Sequence, residues 1–138
     1  MRLFVLSVFL LSFSFAKAQK DTALFGEWIL TKLEINNTVL TPDSGKYKVK
    51  ISDKEFGFNI DINWCIFTDW KTVENEIITV NQQGGCTKVC CDNENSIYYE
   101  NLNYTGKYHF LKDNSVLVIE NINGIFYLKR SNWSNPDL

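Results

Sequence analysis

Proline occurs only twice and histidine once in this 138-residue chain. With proline so scarce, the internal break at Thr41-Pro42-Asp43-Ser44-Gly45 stands out as a loop with turn-forming residues in order. The single histidine, His109, sits between Tyr108 and Phe110. In a strand it faces away from both aromatics, and with no partner nearby it reads as a surface residue rather than a general base or metal ligand. No nucleophile elbow, phosphate loop or metalloprotease helix occurs, so the chain is not expected to be an enzyme or to hold a metal or cofactor. No apolar run reaches the roughly 20 residues of a membrane-spanning helix, and no stable membrane anchor is expected.

The N-terminus carries an address. Arg2 is a short basic region, Leu3 to Phe15 is apolar and broken only by serines, and Ala16-Lys17-Ala18 puts small residues where a signal peptidase reads them. Residues 1–18 are expected to be a secretory signal peptide cleaved near Ala18, which makes the protein secreted or periplasmic. No cysteine stands at the cleavage point to carry a lipid. With Arg2 and Lys17 removed from the 14 basic residues, 12 face 16 acidic ones, a formal charge of −4. That balance opposes nucleic-acid binding, which needs a concentrated basic surface. Residues 19–130 are the length of one domain, and 131–138 read as a loose tail.

Within the domain the dominant period is two. Tyr47, Val49 and Ile51 alternate with Lys46, Lys48 and Lys50, and after a Ser52-Asp53-Lys54 turn Phe56, Phe58, Ile60 and Ile62 alternate with Gly57, Asn59 and Asp61. This pair reads as a hairpin with one wet face. Phe25 to Ile35, Trp64 to Trp70, Ile77 to Val80, Lys107 to Leu111, Val116 to Glu120 and Ile125 to Lys129 are further β segments. Asn36-Asn37, Val73 to Glu76 and Asn123-Gly124 fall at turns, and Asn81 to Gly85 reads as a polar loop. Asp92 to Leu102 is the one expected helix, with an Asp92 or Asn93 cap and Tyr98 and Leu102 four apart. The fold class is therefore mainly β, a small antiparallel barrel or strongly coiled sheet of about eight strands with one short helix.

All four cysteines, Cys65, Cys86, Cys90 and Cys91, fall in the exported part. Export favours disulfides over a four-thiolate zinc site, and the spacing lacks paired Cys-x-x-Cys knuckles. A bond between the neighbours Cys90 and Cys91 would be strained, so Cys65 and Cys86 are expected to pair with those two, in either order. Trp28, Phe56, Phe58, Trp64 and Trp70 are candidates to line a site for a small apolar ligand, with core packing as the competing role. The partner is expected to be such a ligand or an unknown protein. Asn36-Asn37-Thr38, Asn103-Tyr104-Thr105 and Asn132-Trp133-Ser134 fit the glycosylation acceptor pattern.

Leu24-Phe25-Gly26-Glu27-Trp28-Ile29-Leu30, Trp64-Cys65-Ile66, Thr87-Lys88-Val89-Cys90-Cys91, and the run from Tyr98 through Tyr108-His109-Phe110 to Leu128 follow one another in an order that resembles the META domain of HslJ-like heat-shock proteins. The resemblance spans about Phe25 to Arg130 and departs from the family's Gly-Cys-Asn and Thr-x-Met-Ala-Cys motifs. It implies an exported, non-catalytic β domain with a part in envelope or stress physiology. Gly26-x-Trp28 is also similar to the opening of lipocalins, where the tryptophan plugs the base of a barrel, and this second resemblance implies a carrier of a small apolar ligand.

Overall fold

The computed structural model describes residues 20–43, 45–60, 63–80, 84–87 and 102–131. A short 3-10 helix, Thr22–Leu24, leads into eleven strands: β1 Gly26–Ile35, β2 Thr38–Leu40, β3 Lys48–Ile51, β4 Phe56–Ile60, β5 Asn63–Phe67, β6 Trp70–Val73, β7 Glu76–Thr79, β8 Gly84–Cys86, β9 Gly106–Leu111, β10 Val116–Asn121 and β11 Gly124–Arg130. The fold is mainly β, a strongly curled antiparallel sheet that makes a half-barrel. Among the described residues there is no α-helix, and no helix long and apolar enough to cross a membrane. Positions 92–101 of the expected helix, the expected signal peptide (1–18) and the tail beyond Ser131 lie outside the described residues.

Alternation decides which face each strand buries. Val49 and Ile51 are buried while Lys48 and Lys50 face out, where they meet Glu27 at 3.5 Å and Glu55 at 3.3 Å. Such exposed pairs contribute little to stability, so the inward residues fix the register. In β1 the buried positions are Trp28, Leu30 and Leu33, and the change of spacing follows from a bulge. Leu30 faces Leu128 and Lys32 faces Tyr127, leaving Thr31 as the extra residue. Without it Leu33 would turn outward. The hairpin tips take left-handed backbone at Asn36 (φ 48°) and Asn37 (φ 63°), and again at Glu74 (φ 48°) and Asn75 (φ 61°). Two successive positive φ values match the right-handed twist of the flanking strands.

Along the ladder the order is β6-β7-β9-β10-β11-β1-β3-β4-β5-β8, with β2 added beside β1. The two ends of this order belong to one hairpin. β5 and β6 are separated only by Thr68 and Asp69, β7 pairs back on β6, and β8 pairs back on β5. Val80 donates its N–H to the Asp69 carbonyl at 2.8 Å between the two halves. Counting β5 with β6 and β7 with β8, and setting aside the three-residue β2, reconciles eleven segments with about eight expected strands. Gly84–Cys86, expected within and just after a polar loop, is a strand because β5 supplies the partner it needs.

The cysteine pairing differs from the expectation. Cys65 is bonded to Cys86, not to Cys90 or Cys91. The register of β5 against β8 sets the two side chains directly opposite each other. The flanking Thr87 N–H donates to the Trp64 carbonyl at 2.9 Å, which makes Cys65 and Cys86 a non-hydrogen-bonded pair, the antiparallel position where side chains stand closest. Cys90 and Cys91 lie outside the described residues.

One end of the curl is closed by the N-terminal segment. Trp28 is fully buried, and its indole N–H donates to the Leu24 carbonyl at 2.8 Å. Arg130, the last residue of β11, lays its guanidinium over the Trp28 ring at 4.2 Å. Its two terminal nitrogens donate to the carbonyls of Phe25 and Ala23, each at 2.8 Å. Asp21 caps the 3-10 helix at Ala23 and accepts the Tyr108 hydroxyl at 2.8 Å. The strand that ends the sheet thus fastens the segment that starts it. Beside this base Trp70 packs T-shaped against Phe25 and tilted against Phe56.

Candidate functional site

Beside β8, at one end of the ladder, lies a cleft of about 550 Å³. Phe56 and Phe58 of β4, Phe67 of β5, Thr79 of β7 and Cys86 of β8 form its walls, and the connection Leu102–Thr105 forms its remaining side. Cross-strand register explains the grouping. Phe56 faces Phe67, Phe58 faces Cys65, and Cys65 faces Cys86, so one stripe runs across three strands from the buried Phe58 and Cys65 to the exposed Cys86. Phe58 and Phe67 are stacked at 6.0 Å with an interplanar angle of 22°. Among the described residues the lining carries no charged side chain, and its polar side chains are Thr79, Asn103 and Thr105. Such a lining suits an uncharged, largely apolar molecule, because an unpaired charge would be desolvated here without compensation.

The connection Leu102–Thr105 is irregular but tied down. Asn103 Oδ1 accepts from the Thr105 N–H at 3.0 Å and from its hydroxyl at 2.7 Å. From β10, Asn121 Nδ2 donates to the carbonyls of Asn103 (2.6 Å) and Thr105 (2.7 Å). These bonds drive Tyr104 into the curl, where it is fully buried against Phe58 at 5.1 Å and Phe126 at 5.4 Å. Its hydroxyl is buried and has no hydrogen-bond partner among the described residues. Burial pushes the phenol far above its ordinary range, with Tyr47 adding to the shift. Leaving a buried hydroxyl unpaired costs about 1–3 kcal/mol, so the position demands an explanation.

The five aromatic candidates do not converge. Phe56 and Phe58 stand on the cleft, Phe58 the more exposed of the two. Trp28 belongs to the sealed base and Trp70 to the packed core beside it. Trp64 is on the opposite face of β5 from Cys65, with its ring lying over Gly57. A Cβ at Gly57 would fall 2.9 Å from that ring, so glycine is what lets the indole lie flat. His109 is half-exposed on the outer face of β9, 3.9 Å from Glu120. Cys65 and Cys86 are bound to each other, and among the described residues no three His, Cys, Asp or Glu side chains group as a cation site.

Sequence reasoning missed Phe67, Thr79 and the whole Leu102–Thr105 side of the cleft. Phe67 was within reach, because it shares the inward parity of Cys65. Tyr104 had no such signal, since an irregular segment has no period to read. Comparison with known proteins finds no matching family model, no matching curated protein and no matching solved structure.

Proposed function

We propose that this protein is an exported, non-catalytic binding module of lipocalin-like build, which takes a small uncharged apolar ligand in the cleft between β4, β5, β8 and the Leu102–Thr105 connection. The observation that carries the reading is the aromatic stripe Phe56, Phe58 and Phe67, set in a cleft of about 550 Å³ whose described lining holds no charged side chain. That volume lies within the usual range for small-molecule sites. The Gly26-x-Trp28 opening adds support, since Trp28 sits at the base of the curled sheet as the tryptophan of a lipocalin plugs its barrel. The Cys65–Cys86 bond is compatible with secretion or a periplasmic location after cleavage near Ala18. The META-like reading, carried by Leu24 to Leu30, Trp64-Cys65-Ile66, Thr87 to Cys91 and the strands from Tyr108 to Leu128, is the alternative, and it assigns the cleft no ligand.

Titration with the neutral dye N-phenyl-1-naphthylamine tests the proposal. Saturable fluorescence enhancement is expected, and it should be lost in Thr79→Arg, which places a long charged side chain in the cleft wall. Absence of saturable binding to the wild-type protein and to every cleft variant would sink the carrier reading.

A further inference from the structure

We propose that Tyr104 is a resident occupant of the ligand space, a side chain that fills the interior until a ligand displaces it. This rests on the cleft reading above. Trp28, Phe58, Phe126 and Leu128 are fixed to strands and cannot leave without breaking the sheet, and the off-strand Leu24 and Tyr47 lie within two residues of β1 and β3. Tyr104 is carried instead by the irregular connection Leu102–Thr105. It reaches from the cleft side to Phe126 of β11, touching Phe58 of β4 on the way, two strands that the ladder separates by β1 and β3. One ring thus spans the curl where a ligand would lie.

Two features make this occupant displaceable. Its hydroxyl is buried with no acceptor among the described residues, so the seated state carries an uncompensated desolvation cost. And the connection is latched to the sheet through Asn121, whose amide bonds the carbonyls on either side of Tyr104. A binding-competent state with Tyr104 withdrawn joins the vacated interior to the cleft. Observed affinity is then the intrinsic affinity reduced by the fraction of molecules in that state.

The test is N-phenyl-1-naphthylamine titration of the wild-type protein, Tyr104→Ala, Tyr104→Phe and Asn121→Ala, each checked for a cooperative melt. Tyr104→Ala removes the occupant and is expected to bind about tenfold tighter or more, the equivalent of one ring's burial no longer opposed by the ligand. Asn121→Ala releases the latch with the ring intact and should also gain affinity, which keeps the test alive if Tyr104→Ala does not fold. Tyr104→Phe seats better than tyrosine, and its affinity should fall about fivefold. Wild-type binding that Tyr104→Ala and Asn121→Ala leave unchanged or weaken would overturn the occupant and spare the cleft. Binding that appears only in Tyr104→Ala or Asn121→Ala would support the occupant as a full block. No binding in any of the four proteins would remove the cleft reading itself.

Discussion

Replacing Arg130 by methionine keeps an apolar stem over Trp28 and removes the guanidinium. Two hydrogen bonds at 2.8 Å from a charged donor to the Phe25 and Ala23 carbonyls are lost, together with the ring contact at 4.2 Å. Bonds to charged groups contribute about 1.5–3 kcal/mol each. Arg130 is only partly buried and both carbonyls can regain water, so the lower end applies to each bond. The cation–π contact adds about 0.5–1 kcal/mol. The expected loss is about 3.5–4 kcal/mol, or roughly 10–15 °C in Tm for a domain of this size. Thermal unfolding followed by far-ultraviolet circular dichroism measures the total. Hydrogen exchange at Ala23, Leu24 and Phe25 should show the 3-10 helix loosening first. Arg130→Lys, with one compact donor in place of a fork, should fall between the two. A methionine variant melting within about 2 °C of the wild type would refute the claim that this fork fastens the base.

Four further outcomes follow from the geometry. Tyr104→Phe deletes an unpaired buried hydroxyl and should raise stability by about 1 kcal/mol in urea titration, whereas a loss would mean that the hydroxyl has a partner. Cys65→Ala/Cys86→Ala removes a cross-link between residues 21 apart and should cost about 3 kcal/mol, read as a lower urea midpoint. Gly124→Ala drives a Cβ into the Glu34 carbonyl oxygen at a φ of 150°, and should destabilise by about 2 kcal/mol or more. Burial holds Tyr104 and Tyr108 above the ordinary tyrosine value of 10.0, the latter also through its bond to Asp21. Above that value the unfolded chain has lost protons that the native state retains, so stability is complete below about pH 9 and falls as pH rises past 10. The slope should reach about 1.4 kcal/mol per pH unit for each phenol, and it should shrink in Tyr108→Phe.

The sheet was legible because its strands obey a period of two on one buried face. Tyr47, Val49 and Ile51, then Phe56 and Phe58, were readable as a hairpin, and the structure pairs Val49 with Phe58 and Ile51 with Phe56. Parity failed where the chain breaks step. Trp64 and Trp70 are six apart and should share a face, but Thr68 and Asp69 interrupt the run, so Trp64 points outward and Trp70 inward. The disulfide depended on the same hidden detail. Cys65 meets Cys86 only once the β5 and β8 register is known, and no local feature of either residue encodes that register. The cleft was half legible, since its strand walls follow the alternation while Leu102–Thr105 is placed by bonds from Asn121, eighteen residues beyond Asn103.

The opposed pair Cys65 and Cys86 also bears on how the chain reaches its native state. A slip of one residue along β5 would move Cys65 to the outer face, out of reach of its partner. Oxidation between these two sulfurs therefore proofreads the hairpin: it seals the correct alignment and can seal no alignment one step away. Two other thiols follow at Cys90 and Cys91, only four and five positions beyond Cys86. A chain oxidised before β5 and β8 have zipped can exchange partners with them. The order of events, pairing of strands first and of sulfurs second, is thus what separates a productive molecule from a scrambled one, and refolding yield should depend on when oxidant is added.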